Sequence, residues 1–198
     1  EADPARRIAL LNLASVLGNV NRNKEALAIK KEQHAVCRRN FGDDDSRTMI
    51  AEEQLAVTMA QCGGDENLRQ ALQIQTRVYS MRAESQRLGP EHEDTLEAAT
   101  HLADTHTWLG MHAESAALRR ELVAVRLRVS GATHFRTLEA QWLLANSLVR
   151  RCRHPSEIPD EVREICAAAL PVARRFLGPE CEITQGLTHL STFVRLLL

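Results

Sequence analysis

Apolar residues recur three and four apart in blocks of about 15 to 20 residues, and short clusters of Gly, Asn, Asp and Pro separate the blocks. One stretch shows the pattern well. Leu96, Ala99, Leu102, Ala103 and His106 mark one helical face, Gly110 breaks it, and Ala116, Leu118, Leu122, Val125 and Val129 mark a second before Gly131. The same reading along the chain predicts nine helices, over 5–21, 24–41, 46–62, 67–88, 93–109, 112–130, 135–151, 160–177 and 182–197. With 4% aromatics, 9 Gly and 6 Pro, the chain is poorly suited to a β-sandwich or a barrel of short turn-rich strands. The predicted class is all-α.

The helices repeat in pairs. A Leu-Ala dipeptide falls at Leu13-Ala14, Leu55-Ala56, Leu102-Ala103 and Leu144-Ala145, at spacings of 42, 47 and 42 residues. A second mark, Gly followed six residues later by Thr, falls at Gly42/Thr48, Gly89/Thr95, Gly131/Thr137 and Gly178/Thr184, at spacings of 47, 42 and 47. Two independent marks with one period define a repeat. The longer spacings predict insertions at Gly63–Asn67, with a longer helix after it, and in the Pro-bearing stretch Arg153–Asp160. Each unit is then a helix, a turn and a helix. The expected units are 5–42, 43–89, 90–131 and 132–178, with a terminal helix in 179–198, all in one array spanning 1–198. After the Gly turn, Asp or Thr is expected to supply an N-cap, with a carboxylate in or near the first turn, as in Glu91 to Asp94.

The residues that carry these marks resemble a known family. Leu88-Gly-Pro-Glu-His-Glu-Asp-Thr-Leu96, then His101-Leu102-Ala103, Leu109-Gly110 and Glu114, is similar to the tetratricopeptide repeat of the kinesin light chain type. Asn12-Leu13-Ala14 followed by Lys24-Glu25-Ala26-Leu27 fits the same frame. The resemblance runs over nearly the whole chain. It implies a right-handed superhelical solenoid of about four and a half helix–turn–helix units, and a protein-binding role. Met111 and His112 stand where that family often has an aromatic, and Cys152 stands at the fourth unit's Gly position.

Composition narrows the function. The 25 Lys+Arg and 26 Asp+Glu of the 198 residues give a net charge of −1, unlike the basic footprint of a nucleic-acid binder. A 26% charged and 44% hydrophobic chain is not a disordered one, and no window is apolar enough for a membrane span. Five cysteines without a CxxC pair indicate neither a zinc knuckle nor a redox dithiol. They favour a reducing, intracellular setting, cytoplasmic in the first instance and organellar as an option. Arg6-Arg7 before the apolar run Ile8–Gly18 has the outline of a signal peptide, but the Leu-Ala register marks it as the first repeat helix. The chain begins without Met, which predicts a fragment or a processed product.

No catalytic residue, metal ligand or cofactor site is predicted. His92 sits at the repeat turn and suits helix capping, and His101 and His106 are five apart rather than the four of a paired metal site. Cys37, beside Arg38 and Arg39, fits a core or surface cysteine better than a reactive thiol. Arg119, Arg120, Arg126 and Arg128, interleaved with Glu114 and Glu121, are expected on a solvated helix face.

What remains is a groove lined by the first helix of each unit. Counting from each Leu-Ala pair, its residues are Asn12, Ser15 and Asn19; Glu53, Gln54 and Gln61; Thr100, His101, Asp104 and Trp108; and Trp142, Asn146 and Arg150. Asn and Gln can bond both groups of a peptide backbone, and Trp108 and Trp142 are the two tryptophans of the chain. The predicted function is a non-enzymatic interaction scaffold, a subunit or adaptor of a larger assembly. Its partner is a protein, as a peptide or helix in the groove or as a neighbouring subunit at the apolar end Leu196-Leu197-Leu198, with no nucleic acid. Two alternatives are a cargo-peptide adaptor like kinesin light chain and a regulatory repeat domain whose enzyme lies outside this chain.

Overall fold

The structure, a computed structural model, describes residues 4–43, 45–152, 154 and 157–196. Among them are nine α-helices and no strand: α1 (Pro4–Asn19), α2 (Asn23–Phe41), α3 (Ser46–Cys62), α4 (Asp65–Glu84), α5 (Glu93–Trp108), α6 (His112–Ser130), α7 (Phe135–Arg151), α8 (Asp160–Phe176) and α9 (Glu182–Leu196). The chain divides into two compact units, Glu1–Ser85 and Gln86–Leu198. In the first, α2 packs on α1 and α3, and α4 on α3; in the second, α6 packs on α5 and α7, and α8 on α7 and α9.

The Gly-to-Thr mark has a local cause. Gly42, Gly89, Gly131 and Gly178 all have φ between 76° and 86°, where a side chain would be strained, so the turn needs glycine. Three residues later comes the cap. Asp45 accepts a hydrogen bond from the Arg47 N–H (2.9 Å), His92 through Nδ1 from Asp94 N–H (3.2 Å), and His134 through Nδ1 from Arg136 N–H (3.2 Å). His92 is therefore a capping residue. The Thr of the mark is the third residue of its helix each time, and Thr48, Thr95, Thr137 and Thr184 are buried. Thr137 Oγ1 also donates to the Arg126 carbonyl (3.3 Å), tying the start of α7 to α6.

The alanines of the Leu-Ala pairs are the close-packing points: Ala14, Ala56, Ala103 and Ala145 are almost wholly buried. In the second unit a continuous apolar core joins Leu138, Leu144, Ala145 and Leu148 of α7 to Val162, Cys166, Ala169 and Ala173 of α8 and to Ile183, Leu187, Leu190 and Val194 of α9. In the first unit Ala14 and Leu17 of α1 meet Ala26 and Ile29 of α2.

Three sequence expectations need correction. The helix expected over 67–88 is α4, Asp65–Glu84; Ser85 turns to extended backbone, and its N–H bonds the Arg82 carbonyl instead of continuing the helix. The extra residues of this repeat therefore follow α4, while the turn at Gly63-Gly64 is short. The Arg-bearing stripe is solvated only at Arg120 and Arg128, which are exposed. Arg119 and Arg126 are 4% and 5% exposed, whereas Val129, expected on the apolar face, is half exposed. The reason is register: α6 buries Ser115, Arg119, Leu122 and Arg126, spaced i, i+4, i+7, i+11, as α2 buries Ala26, Lys30, Gln33 and Cys37 and α8 buries Val162, Cys166, Ala169 and Ala173. Leu13 is 47% exposed, while Leu55, Leu102 and Leu144 of the later pairs are buried. Of the expected Pro-bearing insertion, Arg153, Pro155 and Ser156 lie outside the described residues, as do Leu197 and Leu198 of the apolar end.

Candidate partner-binding cleft

The buried arginines of α6 need counter-charges, and α5 supplies them. Arg119 donates to Asp104 (2.6 Å) and, through Nε, to Ser115 Oγ (3.2 Å), while Ser115 donates to the Ala103 carbonyl (2.9 Å). Arg126 is held by both oxygens of Glu93. That hydrogen bonding pulls the Glu93 carboxyl below its usual range, because the guanidinium stabilises the charged form. Arg120 bonds both oxygens of Glu161 on α8, the shortest contact at 2.7 Å, and Arg128 pairs with Glu91. The Arg119 and Arg126 pairs tie α6 to α5, and the Arg120 pair ties it to α8.

Between α5 and α7 the surface opens into two adjoining clefts that share Leu143. The larger, of about 520 Å³, is lined by Asp104, Thr107, Trp108, Arg119, Trp142, Leu143, Asn146, Ser147 and Arg150. The smaller, about 70 Å³, contains Thr100 and His101 with Glu93, Glu97, Arg126, Arg136 and Glu139. The seven groove positions expected on α5 and α7 thus all border one or the other. Spacing from the Leu-Ala pairs was the signal that placed them; Thr107, Arg119 and Ser147 carried no such mark.

The side chains in the larger cleft divide by how free they are. Trp108 is half exposed, and Arg150 is exposed with no carboxylate partner among the described residues. Asp104 is committed to Arg119, so it presents a neutralised edge rather than a free charge. Trp142 does two things: it borders the cleft and packs on the apolar core. Its indole lies so close to Gly186 of α9 that a Cβ there would overlap the ring. In the smaller cleft Thr100 Oγ1 donates back to the Leu96 carbonyl (2.8 Å), and His101 Nδ1 is buried without a hydrogen-bond partner.

The expected positions in the first unit are dispersed along α1 and α3. Asn12, Ser15 and Asn19 are exposed on α1. Glu53 is largely buried in an ion pair with Arg82 (2.5 Å). Gln54 accepts from the buried Lys30 Nζ (2.7 Å), and the Gln61 carbonyl accepts from Asn23 Nδ2 (3.2 Å). No group of three or more His, Cys, Asp or Glu side chains gathers as a metal site among the described residues, where no helix is long and apolar enough to cross a membrane. Cys37 is buried, and burial pushes the thiols of Cys62, Cys152 and Cys166 up, away from the reactive thiolate.

No family model matches the chain, and neither does any curated protein. Solved structures do. Two from Podospora anserina, of a kinesin light chain-like protein with nearly identical TPR-like repeats, each share 17% sequence identity with this chain. The one carrying a point substitution superposes with a TM-score of 0.76 over 98% of this chain and 86% of its own, and the other with 0.69 over 98% and 97%. At that identity the likeness concerns the path of the backbone, and with the helix pairs above it establishes the chain as an all-α protein with the TPR-like repeat fold.

Proposed function

We propose that this chain is a non-enzymatic protein-interaction scaffold, a subunit or adaptor of a larger assembly, and that the α5/α7 cleft receives an extended segment of its partner. The observation that carries this reading is the larger cleft itself. Two indoles, the Asn146 amide and the Arg150 guanidinium, which has no carboxylate partner among the described residues, line one opening between two helices. Large aromatic and Arg side chains are the usual anchors of interfaces, and an amide can both donate to and accept from a peptide backbone. Asp104 and Arg119 pair with each other as part of a structural seam, which supports an interaction role over a catalytic one. Panning a random peptide display library on the chain, then remeasuring the selected peptides on Trp108→Ala, tests it. A loss of about tenfold or more is expected for a hot-spot aromatic; equal affinity for the variant contradicts the reading.

Arg150 also favours a narrower version, an adaptor for short acidic peptides like the kinesin light chain type. In that version Arg150→Glu abolishes preference for Asp and Glu among the selected sequences.

A further inference from the structure

The two adjoining clefts differ in charge and in size. They follow one another along the helices: the smaller draws on α5 within 93–101 and on α7 within 136–143, the larger on 104–108 and 142–150. In the smaller cleft both guanidinium groups are already matched. Arg126 is held by both oxygens of Glu93, and Arg136 pairs with Glu139 (3.1 Å). Glu97, exposed on α5, is a third carboxylate in the same lining. Among the described residues it makes no hydrogen bond or ion pair, and it meets Arg136 only through space. Three carboxylates against two guanidinium groups leave the cleft net negative. Leu122, Ala140 and Leu143 add apolar lining. At about 70 Å³ the opening is well below the roughly 150 Å³ that holds a benzene ring, so it suits a slender side chain and not an aromatic one.

We propose that the smaller cleft receives a basic side chain, Lys or Arg, from the partner segment whose other residues enter the larger cleft; this rests on the reading of the α5/α7 cleft as a partner site. The cationic end meets Glu97, and the methylene stem lies along the apolar lining, as long basic side chains do when they cover apolar surface and keep the charge at the tip. The larger cleft, where Asp104 is committed to Arg119 and Arg150 is not paired with a carboxylate among the described residues, has no free carboxylate to compete for that charge. Recognition is thus divided between an aromatic-lined opening and an acidic one.

The two halves can be tested separately. Glu97 and Trp108 are eleven positions apart on α5, about 16 Å along the helix, beyond the range at which substitutions ordinarily couple. Random twelve-residue peptides are displayed and selected on the full chain and, in parallel, on Glu97→Gln. That variant removes the charge and keeps the shape, and because Glu97 is exposed and unbonded it retains its helical circular dichroism and melting point. Among peptides that Trp108→Ala weakens by about tenfold or more, those from the native chain should be enriched in Lys or Arg, and those from Glu97→Gln should not. In the tightest native peptide, replacing the basic residue by Gln should weaken binding to the native chain by about threefold or more and change binding to Glu97→Gln by less than about twofold. Trp108-dependent peptides without basic enrichment, or a basic residue whose loss costs the same on both chains, overturn the inference and leave the larger cleft as a partner site. Enrichment in Asp or Glu that Arg136→Gln removes also overturns it and assigns the smaller cleft to an anionic group. If no selected peptide depends on Trp108, the cleft reading fails and this inference falls with it.

Discussion

Asp104 shows how a polar residue on a repeat helix can be structural while looking like a binding residue. Its carboxylate faces Arg119, which is 4% exposed and, among the described residues, is satisfied by Asp104 and Ser115. Removing a partner of a buried charge costs several kcal/mol, because the remaining ion stays desolvated and unpaired. Asp104 keeps about a third of its own surface in water, so the effect falls at the low end. Asp104→Ala should lower the unfolding free energy by about 2 to 3 kcal/mol in urea titrations, and Asp104→Ala with Arg119→Met should recover most of it. A second residue speaks through pH. The Arg47 side chain and N–H hold the Asp45 carboxyl down, to about 2. A carboxylate depressed on folding contributes stability above its unfolded value near 4, and that contribution is lost as pH falls through the folded value. The urea midpoint should therefore drop between about pH 4 and 2, and Asp45→Asn, which keeps the cap acceptor without the charge, should flatten that part of the profile.

Helix α9 meets α7 through the Trp142–Gly186 contact. Glycine inside a helix is unfavourable by roughly 1 kcal/mol relative to alanine, so in an exposed helix Gly→Ala would stabilise. Here packing reverses the sign, since a methyl group on Gly186 enters the space of the indole. Gly186→Ala should destabilise the chain by about 1 to 3 kcal/mol and move the ring. In a Trp108→Phe background, where Trp142 is the remaining tryptophan, its emission maximum should shift; an unchanged emission with an unchanged melting point would refute the contact. Most helix boundaries were legible in the sequence because glycine turns and caps are local features, as at Gly89 and His92. The inward turn of Arg119 and Arg126 was less so. Charge pointed them to solvent, and only the shared i, i+4, i+7, i+11 spacing with Ala26–Cys37 and Val162–Ala173 could have placed them inside. The end of α4 was missed because nothing in Ser85-Gln86-Arg87-Leu88 breaks a helix by composition. Of the site, the α5 and α7 positions could be counted from Leu102 and Leu144. That Asp104 and Glu53 are bound to arginines depends on the opposite helix and could not.

For the molecule as a whole, repetition explains both the fold and the differences within it. The same buried column holds Lys30 in α2, Arg119 in α6 and Cys166 in α8, so one backbone plan accommodates a polar seam and an apolar core. Nearest-neighbour packing of this kind leaves each first helix free to present its own side chains outward. On α5 and α7 those side chains converge on a cleft, and the central claim is that this cleft binds a partner segment. Because the chain has two tryptophans and both border the cleft, their indole N–H signals form a two-peak report on it in an amide-type NMR spectrum. A display-selected peptide titrated into the isotope-labelled chain should shift the Trp108 and Trp142 indole signals together, with one common dissociation constant. Saturable peptide binding that leaves both signals in place would contradict the account.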